Sequence, residues 1–304
     1  MSDKRREKIE LLKKEKDVVI LAHYYVDGEV QEVADYIGDS FYLSKVATQV
    51  DNENIMFCGV EFMGESAKIL NPSKKVVMVD AEADCPMAHM ITEEKIAEFR
   101  SQYEDLAVVC YVNSTAGIKA VSDVCVTSSN AVKVVKNLEE KNILFVPDNN
   151  LGRYVEASCP EKNFLFHNGY CPVHKEITAD ALIKAKEKYP EALVLTHPEC
   201  TEDVVKLSDF IGSTSEIIDY SVESDCREFI VATETGVFYD LKKKNPDKKF
   251  YPVIEPQECE GMKRITIEKV ERALEDMNIT VEMPDEIIEK AAKPLKRMLE
   301  LAAK

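Results

Sequence analysis

Three cysteines recur in one local setting: Cys85 in CPMAHMIT, Cys171 in CPVHKEIT and Cys259 in CEGMKRIT, each separated by five residues from an Ile-Thr pair. Three converging thiolates are one ligand short of the four that a tetrahedral zinc or a fully ligated iron-sulfur cluster takes. That deficit leaves one metal position open. A 4Fe-4S cluster held by these three residues would have one iron free to act as a Lewis acid on a carboxylate, hydroxyl or amine. The chemistry expected is dehydration or condensation, not electron transfer. Zinc is the competing ligand. Cys85 with His89 and Cys171 with His174 have metal-like spacings, but the third copy has no histidine at either place. The chain has nine cysteines and no CxxC. Cys58, Cys110, Cys125, Cys159 and Cys226 read as small buried hydrophobes, while Cys200 adjoins Glu199.

Polar residues repeat in step with the cysteines. His23, Tyr111 and His197 stand 88 and 86 residues apart, each after an apolar run, and Tyr25, Asn113 and Glu199 follow two positions later. They supply proton donors and acceptors, with Glu199 and the histidines as general acids and bases. Small polar turns, GDS, VTSSN and GSTSE, recur at the same offsets. Turns of this kind start helices, whose free N–H groups favour anions, and Ser40, Ser128, Ser213 and Thr214 add hydroxyls. Plain helix capping uses the same residue types. A substrate set with about three anionic groups fits three such turns.

The elements that must position these residues are themselves repeated. ADYIGDS, SDVCVTS and SDFIGST coincide at the same offsets, as do IMFCG, ILFVP and FIVAT. Short β-branched runs alternate with amphipathic stretches such as EEKIAEFRSQY, the pattern of parallel sheets covered by helices. The fold expected is α/β: three repeated αβα sandwiches arranged with pseudo-threefold symmetry around a central active site. The repeats are set at residues 1–85, 86–171 and 172–259, with 260–304 as a closing helix, strand and helix. Ligands of such sheets bind beyond the carboxyl ends of the strands, where the recurring residues lie.

The 304 residues carry a net charge of −17, with 45% apolar and 31% charged positions. Such a surface repels phosphate backbones and anionic membranes, so nucleic acid and membrane partners are not expected. Apolar runs are strand-length and far short of a bilayer span. The first residues, MSDKRREKIELLKKEKD, read as a charged helix instead of a signal peptide, which places the protein in the cytoplasm. No P-loop, GxGxxG or GxSxG motif occurs.

Taken in order, LAHYY, GDS, NPSKKVVMVD, CPMAH, YVNST, CPVH, HPEC and GSTSE resemble the quinolinate synthase family, iron-sulfur enzymes of NAD biosynthesis, from about residue 20 to 265. The resemblance implies three α/β domains around a 4Fe-4S cluster with one open iron. It also implies condensation of iminoaspartate with dihydroxyacetone phosphate to quinolinate, with release of phosphate and water, and an aspartate oxidase or dehydrogenase that supplies iminoaspartate. Carried over by matching motif, Cys85, Cys171 and Cys259 are cluster ligands. His23, Tyr25, Tyr111, Asn113, His174, His197 and Glu199 form the active-site set, and Ser40, Ser128, Ser213 and Thr214 bind carboxylate or phosphate. Tyr24 stands where many members have Asn. QECEGM has Cys259 alone where some members have a CxxCxxC run, so no redox disulfide is expected there. From the residues alone, another cluster-dependent hydro-lyase, a non-catalytic iron-sulfur sensor and a zinc-binding structural protein remain as alternatives.

Overall fold

The computed structural model describes residues 1–303. The first sheet contains β1 (Val18–His23), β2 (Tyr36–Gly38), β3 (Asn54–Cys58) and β4 (Lys75–Met78). The second contains β5 (Leu106–Tyr111), β6 (Val124–Val126), β7 (Asn142–Val146) and β8 (Asn163–Phe166). The third contains β9 (Leu193–Thr196), β10 (Phe210–Ile211), β11 (Glu228–Ala232) and β12 (Lys249–Pro252). Every pairing within them is parallel, and all three have one order: second strand, first, third, fourth. Helices cover the sheets, as the alternation of strand and helix patterns requires.

The aspartate of each repeated SD or AD motif explains why that motif recurs. Asp35, Asp123 and Asp209 each precede the short second strand, and their backbone N–H groups donate to the carbonyls of Ile20, Val108 and Val194. Their carboxylates accept the N–H of the same three residues at 2.8, 2.7 and 2.8 Å. One residue thus supplies both halves of a ladder step, which extends the pairing of a strand of only two or three residues. The register of the second strand, and the position of the polar turn after it, follow from this clamp.

One apolar core runs through the first two repeats and takes in Val270, Leu274, Leu295 and Met298 from the C-terminal segment. The third repeat has separate cores on the two faces of its sheet. Val194 and Ile230 enter one, and Leu195, Phe229 and Val231 the other, as the period of two in a strand dictates. The N-terminal helix Asp3–Glu15, capped by Ser2, packs on the helix Ile267–Asp276, with Arg5 2.9 Å and Lys8 2.6 Å from Glu271. The closing segment differs from expectation in one respect. Instead of a strand there is one antiparallel bridge, Val77 to Thr280, because MNITVEMPD has only four apolar residues before a proline that ends the extended run. The final helix, Asp285–Ala303, lies on the first two repeats and covers their shared core.

Asp209 has no cation partner among the described residues, unlike Asp35 beside Lys13 and Asp123 beside Arg100, so it isolates the clamp. Replacing Asp209 by Ala leaves the Val194 N–H unpaired and should lower the unfolding free energy by about 1–3 kcal/mol, read from the urea midpoint. An unchanged midpoint would show that the clamp is dispensable.

Candidate active site

The carboxyl ends of the three sheets face one cavity, with about 60 Å³ in which the centre of a water molecule can move. The first strands deliver His23 at the end of β1, Tyr111 at the end of β5 and His197 just after β9. Tyr25, Asn113 and Glu199 follow, and all six line the cavity. Ser40, Ser128 and Thr214, equivalent by repeat, line it from the polar turns, and Cys85, Cys171 and Cys259 complete it. Ser213 does not line it. Its hydroxyl accepts the Glu216 N–H in a reciprocal capping box at the head of the helix Thr214–Glu223, so capping accounts for this residue. His174 lies one layer behind, and His89 pairs with Asp84 at 2.7 Å on the exposed surface.

The cysteines are held alike. Each is the N-cap residue of a short helix, Pro86–His89, Pro172–Glu176 or Glu260–Lys263. Backbone N–H groups of the following turn face its sulfur: Ala88 and Met87 for Cys85, His174 for Cys171, and Met262 and Gly261 for Cys259. Burial nevertheless pushes all three thiols up, and Glu199 adds to this in each case. No lysine or arginine lines the cavity among the described residues. Three thiols and the carboxylates of Glu199 and Asp39, with no cation among the lining residues, form a donor set suited to a thiophilic metal centre, whose positive charge would hold the thiolates ionised. Two buried acceptors, Glu199 Oε1 and Asn113 Oδ1, have no hydrogen-bond partner. Buried polar groups are normally paired, so these atoms await a ligand with donors.

Local hydrogen bonds fix the histidine tautomers. The Tyr25 N–H donates to His23 Nδ1 at 3.2 Å, and the Glu199 N–H donates to His197 Nδ1 at 3.4 Å, one motif in two repeats. Burial pushes both imidazoles down to about 3. Both rings are therefore neutral with the proton on Nε2. His197 Nδ1 also lies 3.4 Å from Glu199 Oε2, but an acceptor nitrogen gives no proton to it. Burial alone would raise the Glu199 carboxyl. His174, whose Nδ1 lies 2.8 Å from Oε2, outweighs burial and holds the carboxyl below its ordinary value.

His174 Nδ1 lies 2.8 Å from Glu199 Oε2 and 3.2 Å from Cys171 Sγ, and with the ring proton on Nδ1 its Nε2 accepts from the Thr233 hydroxyl at 2.9 Å. Thr233 Oγ1 then accepts the Tyr25 hydroxyl proton at 2.8 Å, and Thr214 Oγ1 lies 2.8 Å from the same phenol oxygen. A continuous hydrogen-bonded path runs from Tyr25 through Thr233 and His174 to Glu199. Burial raises the Tyr25 phenol well above its ordinary value, so it stays protonated. The sequence reading missed Thr233, although it directly follows FIVA in the aligned third strands. It also missed Asp39 and Thr127, which line the cavity at the register of Ser213. Cys171 Sγ, His174 Nδ1 and a Glu199 oxygen lie within 4.8 Å of one another, but both His174 nitrogens are already engaged in this path.

Residues 7–300 match the family described as Quinolinate synthetase A protein. The chain is 56% identical over 297 residues to the quinolinate synthase of Fusobacterium nucleatum, covering 98% of this chain and 99% of that protein. It is 48% identical over 300 residues to that of Caldicellulosiruptor saccharolyticus, covering 99% of each. To that of Aquifex aeolicus it is 47% identical over 305 residues, covering 98% and 94%. These matches span every strand and every residue of the cavity, and the chain belongs to the quinolinate synthetase A family of enzymes.

Proposed function

We propose that this enzyme is a quinolinate synthase acting in NAD biosynthesis. It condenses iminoaspartate with dihydroxyacetone phosphate to quinolinate, with release of phosphate and two waters. The observation that carries this reading is the meeting of three repeat-equivalent cysteines, an unpartnered Glu199 oxygen and a hydroxyl path in one cavity without a protein cation. Full-length similarity to quinolinate synthases supports it. Cys85, Cys171 and Cys259 would hold a 4Fe-4S cluster. When bound, that group supplies a Lewis acid at the one iron that no cysteine ligates.

The chain's own residues account for binding and proton transfer. Ser40, Ser128 and Thr214 offer hydroxyls to phosphate and carboxylate oxygens, while Asn113 and the Nε2–H groups of His23 and His197 offer further hydrogen bonds. Tyr111 closes the wall beside Glu199. Glu199, kept ionised, accepts a proton from substrate carbon or nitrogen. Tyr25, which stays protonated, delivers its own hydroxyl proton to a departing hydroxyl as water. Glu199 gains one proton and Tyr25 loses one, so the pair returns to its starting state by exchanging a single proton, between them or with solvent, once product has left. Iminoaspartate is supplied by an aspartate oxidase or dehydrogenase, and the reaction takes place in the cytoplasm.

The substitution Glu199→Gln keeps the size of the side chain but removes the base. With iminoaspartate generated in the assay, turnover to quinolinate should fall by about 10²–10⁴-fold while iron and sulfide content stay at wild-type levels; near-normal turnover sinks the assignment. Cys259→Ala should abolish iron and sulfide retention in protein purified without oxygen. A full complement of iron in that variant, or one zinc and no sulfide in the wild type, removes the cluster from the reading.

A further inference from the structure

The third strand of each repeat is followed, two residues after its end, by Val60, Asp148 or Glu234, at the same 88- and 86-residue offsets as the cavity residues. Asp148 and Glu234 are completely buried. Asp148 Oδ1 caps its own helix by accepting the Leu151 N–H at 2.7 Å, and Oδ2 accepts the Cys171 N–H at 3.1 Å. Glu234 Oε2 accepts the Gly236 N–H at 2.6 Å, and Oε1 accepts the Cys259 N–H at 3.2 Å. Lys263, one turn after Cys259, reaches Glu234 Oε1 at 3.2 Å and the Tyr25 carbonyl at 2.9 Å.

Helix capping alone does not require these residues, because a serine or asparagine caps as well without burying a charge. What the carboxylates add is a second acceptor oxygen, and in both repeats it goes to the backbone of the cysteine. The first repeat has Val60, which accepts nothing. Its cysteine loop is held sterically: a Cβ on Gly261 would lie 2.2 Å from the Asp84 carbonyl oxygen and 2.9 Å from Val60 Cγ1. Gly261 belongs to the helix that Cys259 starts, so the backbone of that helix seats directly on the residue before Cys85.

We infer that Asp148 and Glu234 are positioning residues that fix Cys171 and Cys259 from equivalent places, and that Cys85 is fixed at second hand, through Gly261, by the segment Glu234 anchors. The arrangement is asymmetric. Loss of Asp148 frees one cysteine, whereas loss of Glu234 loosens two. The inference rests on the reading that the three cysteines hold one cluster.

The test uses holoprotein purified without oxygen, challenged with excess EDTA, the loss of visible absorbance being followed in time. Asp148→Asn and Glu234→Gln should lose the cluster about 10–100-fold faster than wild type, with Glu234→Gln the faster of the two. Gly261→Ala should act in the same direction and change the EPR signal of the reduced cluster. Asp209→Ala, destabilised at a clamp remote from the cysteines, should bleach at the wild-type rate, which separates positioning from loss of overall stability. If the two carboxylate variants bleach no faster than Asp209→Ala, or if Gly261→Ala leaves both rate and EPR signal unchanged, the inference is overturned while the cluster reading stands. A wild-type protein without iron and sulfide overturns both.

Discussion

Three thiols and two carboxylates, Glu199 and Asp39, share a cavity to which no lysine or arginine among the described residues contributes, in a protein already carrying −17. Burying these groups in ionised form without a partner costs several kcal/mol each, so the arrangement of the surroundings follows from how that cost is met. Backbone N–H groups turn towards each sulfur, His174 donates to Glu199, and His23 and His197 remain neutral donors because burial disfavours their charged forms. The uncompensated remainder is a preference for a positive centre at the cysteines. A lysine there would form ion pairs with the thiolates and remove that preference.

A single sheet could not assemble this set. The switch point of a parallel sheet, where strand order reverses, exposes the ends of only two or three strands, and here each switch point lies at the first strand, between the second and third. Three copies place three such ends around one cavity, and substitution within the copies divides the labour. Positions 25, 113 and 199 carry a phenol, an amide and a carboxylate, while positions 40, 128 and 214 all keep a hydroxyl. Positions 60, 148 and 234 diverge in the same way: the two acidic copies hold their own cysteine, and the apolar copy receives the Cys259 helix against it.

The strands, their parallel arrangement and the residues at strand ends were legible because period and repeat register both act on local sequence. The Asp35, Asp123 and Asp209 motif was legible as a landmark, but its clamp was not, since a side chain completing a ladder step becomes visible only once the strands are paired. Ser213 shows the opposite error. A hydroxyl in a polar turn suits both an anion and a helix cap, and Glu216 three residues later decides for the cap. Thr233 escaped notice because its partners, Tyr25 and His174, lie far from it in sequence and in different recurring motifs. The C-terminal strand failed for a simpler reason: four alternating apolar residues before a proline sustain one bridge, not a ladder.

The division of cores bears on the chemistry as well as on the fold. The first two repeats share their apolar core with the C-terminal segment, whereas the third has cores of its own. Polar contacts join it to the others around the cavity: Ser215 to Asp39 at 2.6 Å, Asn150 to the Glu199 carbonyl at 3.1 Å, and Tyr25 to Thr214 and Thr233. Such contacts exchange readily with water, because a hydrogen bond contributes only about 0.5–1.5 kcal/mol net. One of them, Tyr25 to Thr233, is also a link in the hydrogen-bonded path, since Tyr25 belongs to the first repeat while Thr233, His174 and Glu199 belong to the third. The path is therefore continuous only when the third repeat is seated on the first. Placing that link across the seam ties the continuity of the path to the seating of the third repeat on the first, so the hydroxyl chain is complete only where bulk water is kept from its members.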